Sequence, residues 1–296
     1  MMIADRFIWE VADFTKTQTG EDGVFLTHVP GLMVIRNSEM TGFDAFLYEP
    51  VVCLILQGGK ETILQGRKLS ASAGQALIVS HHVPVTSRIV DASTDRPYIA
   101  LVMTIDLDTV RNLIEEVGTF SLKKAHRQAI TAGKADKFLL EAMERLFTLS
   151  KRPDEIKVMA PLIKREIHYR ILLADYGGIL REMLDVDSSA SRISRALELI
   201  RENYAEPMSV PELARNIGMS PSSFHEHFKL VTATTPLKYQ KELRLIEAKR
   251  LLLQGSHSVS SVAIQVGYES PNQFSREFSR KFGASPRSIG NLQATA

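Results

Sequence analysis

One cysteine, no long apolar run and almost no net charge are what this chain of 296 residues has to show where other proteins carry their signatures. With Cys53 alone, no internal disulfide can form. Its place inside Val51-Val52-Cys53-Leu54-Ile55-Leu56 reads as that of a small buried hydrophobe. Nothing approaches about 18 consecutive apolar residues, so no membrane span is written. The opening MMIADRFIWE has early charges of both signs and no signal-peptide core, and a cytoplasmic protein is expected.

The length allows two domains with buried cores, and hydrophobic and charged shares of 44% and 24% are ordinary for a globular protein. The net charge of +2 is unevenly placed. From Ser191 onward Lys and Arg outnumber Asp and Glu by 14 to 9, whereas before it they are outnumbered 22 to 25. A basic C-terminal part beside an acidic partner fits a nucleic-acid face next to a module that does not bind it.

That basic part contains one pattern twice. VPELARNIGMSPSSFHEHFKLVTATTP starts at Val210 and VSSVAIQVGYESPNQFSREFSRKFGASP at Val259. An offset of 49 pairs Ala214 with Ala263 and Gly218 with Gly267; an offset of 50 then pairs Ser220 with Ser270, Phe224 with Phe274, Phe228 with Phe278 and Pro236 with Pro286. Each copy predicts a short helix with a small residue, a glycine turn and a second helix, which is the order of a helix-turn-helix. Ser220-Pro221 and Ser270-Pro271 predict N-caps followed by proline in the first turn. Ser209-x-x-Glu212 and Ser270-x-x-Gln273 fit capping boxes.

Phenylalanines four apart turn one face of each second helix inward. The opposite face then carries Ser222, His225, Glu226 and Lys229 in the first copy, and Asn272, Gln273, Ser275, Arg276 and Arg280 in the second. Asn, Gln and Arg can pair with base edges in the major groove, and Lys and Arg neutralise phosphates. A solvated helix face would look the same in a single helix; the duplication favours DNA. Between the copies, Pro236–Gln254 predicts a connector helix of about 28 Å at about 1.5 Å per residue. Such a spacer could set reading helices at about 221–231 and 271–282 into successive major-groove segments, one turn of B-DNA being about 34 Å.

The segment from about Ile193 to Ile289 resembles the DNA-binding domain of AraC-type (AraC/XylS) bacterial transcription regulators. Leu213-Ala214, Ile217-Gly218, Ser220-Pro221, Phe228-Lys229, Arg244, Val266-Gly267-Tyr268, Arg276-Glu277-Phe278 and Phe282-Gly283 carry the likeness. The resemblance implies base reading by Ser222 and Glu226 in the first unit and by Asn272 and Arg276 in the second, with His225 and Gln273 on the same faces. Glu226 departs from the arginine frequent there, and a carboxylate can only accept, for instance from a cytosine amino group. Phosphate contacts are expected from Lys229, Arg280, Lys281 and the helix N-termini at Ser220 and Ser270. RNA polymerase is a partner implied by the same likeness.

Between Gly23 and Asp106 short β-rich runs alternate with Gly, Pro and polar turns. Strands are expected at Val24–Thr27, Leu32–Arg36, Val51–Leu56, Lys60–Leu64, Arg67–Ser72, Gln75–Ser80, Val85–Asp91 and Tyr98–Asp106, with turns at Gln57-Gly58-Gly59 and Gln65-Gly66. This is the pattern of a barrel or a two-sheet roll. Tyr48-Glu49-Pro50, Leu56-Gln57-Gly58, Pro84-Val85 and Arg96-Pro97-Tyr98 resemble the cupin-like N-terminal domain of one subgroup of the same regulators, which implies a cupin-like β-barrel. Lys60–Gly74, where a cupin enzyme holds its metal, has no histidine, and adjacent His81 and His82 would point to opposite faces of a strand. No metal, cofactor or catalytic residue is therefore expected. The interior could take a small effector, of which no residue gives the identity, or be purely structural.

After Asp106 helices are expected at Leu107–Val117, Lys134–Leu149 and Asp154–Ala174, ending at Gly177-Gly178, with a polar hinge at Asp187–Ser191. The stripe Ile156, Met159, Ile163, Ile167 and Ile171 either packs on its own domain or forms the seam of a homodimer. The expected architecture is α+β in two domains: a cupin-like barrel (1–106) with a helical coupling or dimerisation segment (107–190), and an all-α double helix-turn-helix domain (191–296). A cupin-type enzyme with an accessory DNA domain and an adaptor working through protein contacts are the rival readings.

Overall fold

The computed structural model describes residues 3, 5–18, 22–64, 66–117, 128–184, 188–255 and 258–291. Among these residues ten strands form two antiparallel sheets. In spatial order the larger holds β1 (Gly23–Leu26), β2 (Leu32–Asn37), β9 (Tyr98–Thr104), β4 (Val51–Gln57), β7 (Gln75–Val79) and β10 (Ile130–Lys134). The smaller holds β3 (Asp44–Tyr48), β8 (Val83–Asp91), β5 (Gly59–Leu64) and β6 (Arg67–Ser72).

The expected cupin-like barrel does not form. Closure needs the outermost strands to hydrogen-bond to one another, but β1 and β10 bound the larger sheet, and β3 and β6 the smaller. The fold is instead an open two-sheet stack with helices behind the larger sheet. In β4, Val52, Leu54 and Leu56 join the helix-side core while Cys53 and Ile55 face the smaller sheet. Burial on both faces is why Val51–Leu56 is apolar throughout.

The helical layer consists of α1 (Asp5–Lys16), α2 (Leu107–Val117), α3 (Lys137–Leu149), α4 (Pro153–Leu173) and α5 (Gly178–Leu184). Phe7, Val11, Leu113, Phe147, Ile167 and Leu180 carry it onto the sheet. Of the expected stripe on α4, Ile163, Ile167 and Ile171 are buried against this domain, whereas Met159 is exposed and Val158 and Leu162 are 67% and 59% exposed on the outside. The Gly177-Gly178 stop proves to be a 3₁₀ turn, Asp175–Gly177, leading into α5. Of the expected turn and hinge, Gln65 and Asp187 lie outside the described residues, and Ser188 N-caps the next helix by accepting from the Ser191 N–H.

The C-terminal domain is entirely helical among the described residues: α6 (Ser189–Glu202), α7 (Val210–Asn216), α8 (Pro221–Thr232), α9 (Pro236–Leu253), α10 (Val259–Gln265), α11 (Pro271–Phe282) and α12 (Pro286–Asn291). The two helix-turn-helix units are placed unequally. Phe224, Phe228 and Tyr239 belong to a buried cluster continuous with the space between the sheets, while Phe274, Phe278 and Tyr268 form a separate core.

Polar contacts follow the same join. Tyr239 Oη donates to the His82 carbonyl (2.6 Å), the Ala129 N–H to the Val231 carbonyl (3.1 Å), and Lys249 pairs with Asp44 (2.6 Å). His81 lies beside them, buried, sharing a 2.6 Å hydrogen bond with Ser80 Oγ. Burial, aided by neighbouring His82, holds its pKa down at about 3. The unfolded chain takes up this proton below about 6.5 while the fold refuses it, so stability is complete above that pH and falls as pH drops towards 3. The expected loss is at most about 1.4 kcal/mol per pH unit; urea unfolding at pH 7 and pH 5, with a shallower dependence in His81→Asn, checks it.

Candidate nucleic-acid interface

The two copies fold alike because each local choice is repeated. Ser220 Oγ accepts from the Ser223 N–H and Ser270 Oγ from the Gln273 N–H, both at 3.3 Å, and proline follows each cap. The full capping boxes do not form: Ser209 makes no side-chain cap bond, and Gln273 turns its amide towards Glu277 instead (3.5 Å). Phe224 and Phe228 meet edge-on at 5.4 Å, and Phe274 and Phe278 sit at the same spacing. Gly218 and Gly267 turn the chain at φ +68° and +85°.

Each second helix ends in the left-handed region, at Ala233 (φ 58°) in α8 and Gly283 (φ 69°) in α11. These residues are 50 apart, the offset of the repeat, so the first copy keeps a Cβ where the second has none. Because that conformation costs an L-residue about 1–2 kcal/mol, Ala233→Gly is expected to stabilise the domain by about 0.5–1 kcal/mol after glycine's extra chain entropy. A urea midpoint lower than that of the parent chain would contradict it.

Burial of the phenylalanines leaves the opposite faces open. Ser222, His225, Glu226 and Lys229 are exposed on α8, as are Asn272, Gln273, Arg276 and Arg280 on α11. Ser220 is exposed and Ser270 half-buried, each hydroxyl already accepting its cap bond. Ser275 is half-buried and donates to the Pro271 carbonyl. Lys281 is turned away from this surface, its ammonium paired with Glu242 on the connector helix α9. That leaves Arg276 and Arg280 as the free cationic ends of α11, with no ion pair among the described residues.

The fixed relation between the units comes from Arg244 on α9, a role its sequence position does not announce. Its guanidinium donates to the carbonyls of Tyr204 (2.7 Å), Ala205 (3.0 Å), Glu206 (3.1 Å) and Gly267 (2.7 Å), and Gln240 adds bonds to Tyr204 and Glu206. The turn after α6 and the turn of the second unit are thereby pinned to the connector. Glu277 on α11 closes the same corner, accepting from Tyr268 Oη (2.9 Å) and pairing with Lys241 (2.7 Å).

His28 lies apart from His81 and His82. His28 Nδ1 bonds the Ser150 carbonyl, and His81 and His82 stand at the contact between the domains. Among the described residues no three His, Cys, Asp or Glu side chains cluster as ligands would, and no helix is long and apolar enough to cross a membrane.

Residues 28–179 match the model of the AraC-type transcriptional regulator N-terminus, and residues 213–291 match a helix-turn-helix domain. The transcriptional activator RhaS of Salmonella schwarzengrund (strain CVM19633) is 28% identical over 159 residues, 53% of this chain and 56% of that protein, so the alignment spans little more than half the relative's length. RhaS of Yersinia pestis bv. Antiqua (strain Angola) is 24% identical over 239 residues, 80% of this chain and 85% of its own. In three dimensions, ToxT of Vibrio cholerae strain SCE256 superposes with a TM-score of 0.58 at 12% identity, covering 93% of this chain and 97% of that one, which is a likeness of fold.

Proposed function

The chain belongs to the AraC-type transcriptional regulators, and from that premise we propose that it binds a specific DNA site of about two helical turns, with α8 and α11 in successive major-groove segments. The observation that carries this reading is the pair of exposed polar faces held by one connector, α9, whose 18 residues span about 27 Å. Asn272 and Arg276 supply most of the discrimination, with Gln273 beside them. Ser222, His225 and Glu226 read more weakly, because Glu226 can only accept. Lys229, Arg280 and the capped N-termini at Ser220 and Ser270 hold phosphates; Lys281 contributes only if it leaves Glu242.

The division into residues 1–106, 107–190 and 191–296 serves this function as a regulatory sheet domain, a helical coupling segment and the reader. A small effector between the sheets, contact with RNA polymerase and action in the cytoplasm complete the proposal. The outer face of α4 gives a homodimer its seam, since Val158 and Leu162 lie exposed one turn apart on a helix whose inner face is already occupied.

Replacing Arg276 by Ala is expected to lower affinity by about 1–3 kcal/mol and to relax preference at one base pair. Binding to a library of single-base variants of the selected site measures this. An equal loss on every sequence would mean that Arg276 touches only phosphate.

A further inference from the structure

The inner face of the smaller sheet carries a lysine among apolar neighbours. Paired residues of antiparallel strands point to the same side, and Lys60 lies opposite Ala71 on β6 and Ile89 on β8, both buried between the sheets. Thr62 and Leu64 continue that face and are buried, whereas Glu61 points outward to Lys68 and Arg88. The Lys60 ammonium rests 4.8 Å from the centre of the Tyr48 ring and has no ion pair among the described residues. Asp44, on the same face opposite Ser87, is already taken by Lys249 of the connector helix.

Hydroxyls around this lysine also lack partners. Among the described residues Thr62 Oγ1 and Tyr98 Oη are buried without a hydrogen-bond partner, apart from the weak thiol of Cys53 beside Tyr98. Tyr48 Oη donates to Ser87 Oγ (3.0 Å), and Ser87 is the cross-strand neighbour of Thr62. An unpartnered buried hydroxyl is destabilising, and an ammonium facing an apolar interior calls for an anion. At the outer end of the larger sheet the same side is uncovered: Val24 and Leu26, paired with Ile35 and Met33, are 59% and 75% exposed.

We propose that the space between the sheets is a site for a small hydroxycarboxylate, its carboxylate on Lys60 and its hydroxyl oxygens on Thr62 and Tyr98. The inference rests on the effector reading above and gives that effector a chemical class. One charge defines the acid, and the idle hydroxyls require further oxygens on the ligand rather than a bare alkyl chain.

Scanning calorimetry of the full chain tests it with lactate, gluconate and tartrate, against hexanoate as an acid without hydroxyls and glycerol and glucose as neutral polyols. At least one hydroxy acid is expected to raise the melting temperature while hexanoate and the polyols do not, with the shift abolished in Lys60→Met and in Lys60→Gln. Without ligand, Lys60→Met and Thr62→Val are expected to melt about 2–4 °C higher than the parent, because each removes a group left unsatisfied. A lower melting temperature for both variants would overturn the proposal, since it would show these groups to be satisfied. So would stabilisation by glucose or hexanoate alone, which would leave an effector site of different chemistry standing. No shift with any of the six compounds would overturn the hydroxycarboxylate and remove its support from the effector reading as well.

Discussion

Arg244→Met is expected to destabilise the C-terminal domain by about 3–5 kcal/mol and to abolish specific DNA binding with it. Methionine retains much of the aliphatic stem's packing but leaves the carbonyls of Tyr204, Ala205, Glu206 and Gly267 without their guanidinium donor. Two of those carbonyls belong to segments 63 residues apart in the chain, Tyr204 and Gly267, so what is lost is the joint between the turn after α6 and the second unit. Lysine should rescue little, because a single ammonium cannot reach four acceptors laid out for a planar fork. Urea unfolding of the purified chain measures the cost. A loss below about 1 kcal/mol, the size of one ordinary hydrogen bond, would show that water replaces the clamp.

Gly267→Ala should be nearly as damaging, and its counterpart Gly218→Ala much less. Both glycines sit in the left-handed region, which alone costs alanine about 1–2 kcal/mol. At Gly267 a Cβ would also lie 2.0 Å from the Ala205 carbonyl oxygen, a backbone atom that cannot swing aside, whereas at Gly218 it would meet nothing within 4 Å. Overpacking of this kind adds about 1–3 kcal/mol, giving, after the chain entropy that alanine saves, about 1.5–4 kcal/mol at Gly267 against about 0.5–1 at Gly218. The difference is the informative quantity. Equal losses in thermal or urea unfolding would mean that the Ala205 turn yields, and that the second unit is held less tightly than Arg244 implies.

The unequal glycines show where sequence reasoning stops. The repeat, its serine caps and the phenylalanine pairs were legible, because each is a local rule of helix starts and faces and the chain writes them twice. That Ala205 crowds one glycine and leaves the other free depends on a contact 62 residues away, which no spacing records. Arg244 carries part of the family likeness, but that it joins two turns depends on carbonyls far apart in the chain, which spacing does not record either. Lys281, expected to contact phosphate, is paired in the structure with Glu242 on another helix, a partner that no spacing announces.

In the N-terminal part most strands were legible from alternation and turns, but closure was not. Whether β1 meets β10 is a property of the whole sheet order, and the order observed leaves both edges open. Three elements escaped for separate reasons. β3 is an edge strand with no fully buried residue, so it lacks a clean alternation. β10 reads Ile-Thr-Ala-Gly-Lys, and its Gly133 is there for the Tyr176 ring, which a Cβ would approach to 2.1 Å. α1 contributes Phe7 and Val11 to the core from a stretch rich in charge.

On this reading one chain spans two successive groove segments through α8 and α11. Sequencing of sheared source-organism DNA retained by the purified full-length protein, beside an Asn272→Ala/Arg276→Ala variant of equal stability, tests it most directly. A single motif of about two helical turns is expected, with the half contacted by α11 lost in the variant. Diffuse, salt-sensitive retention that the two substitutions leave unchanged would contradict it.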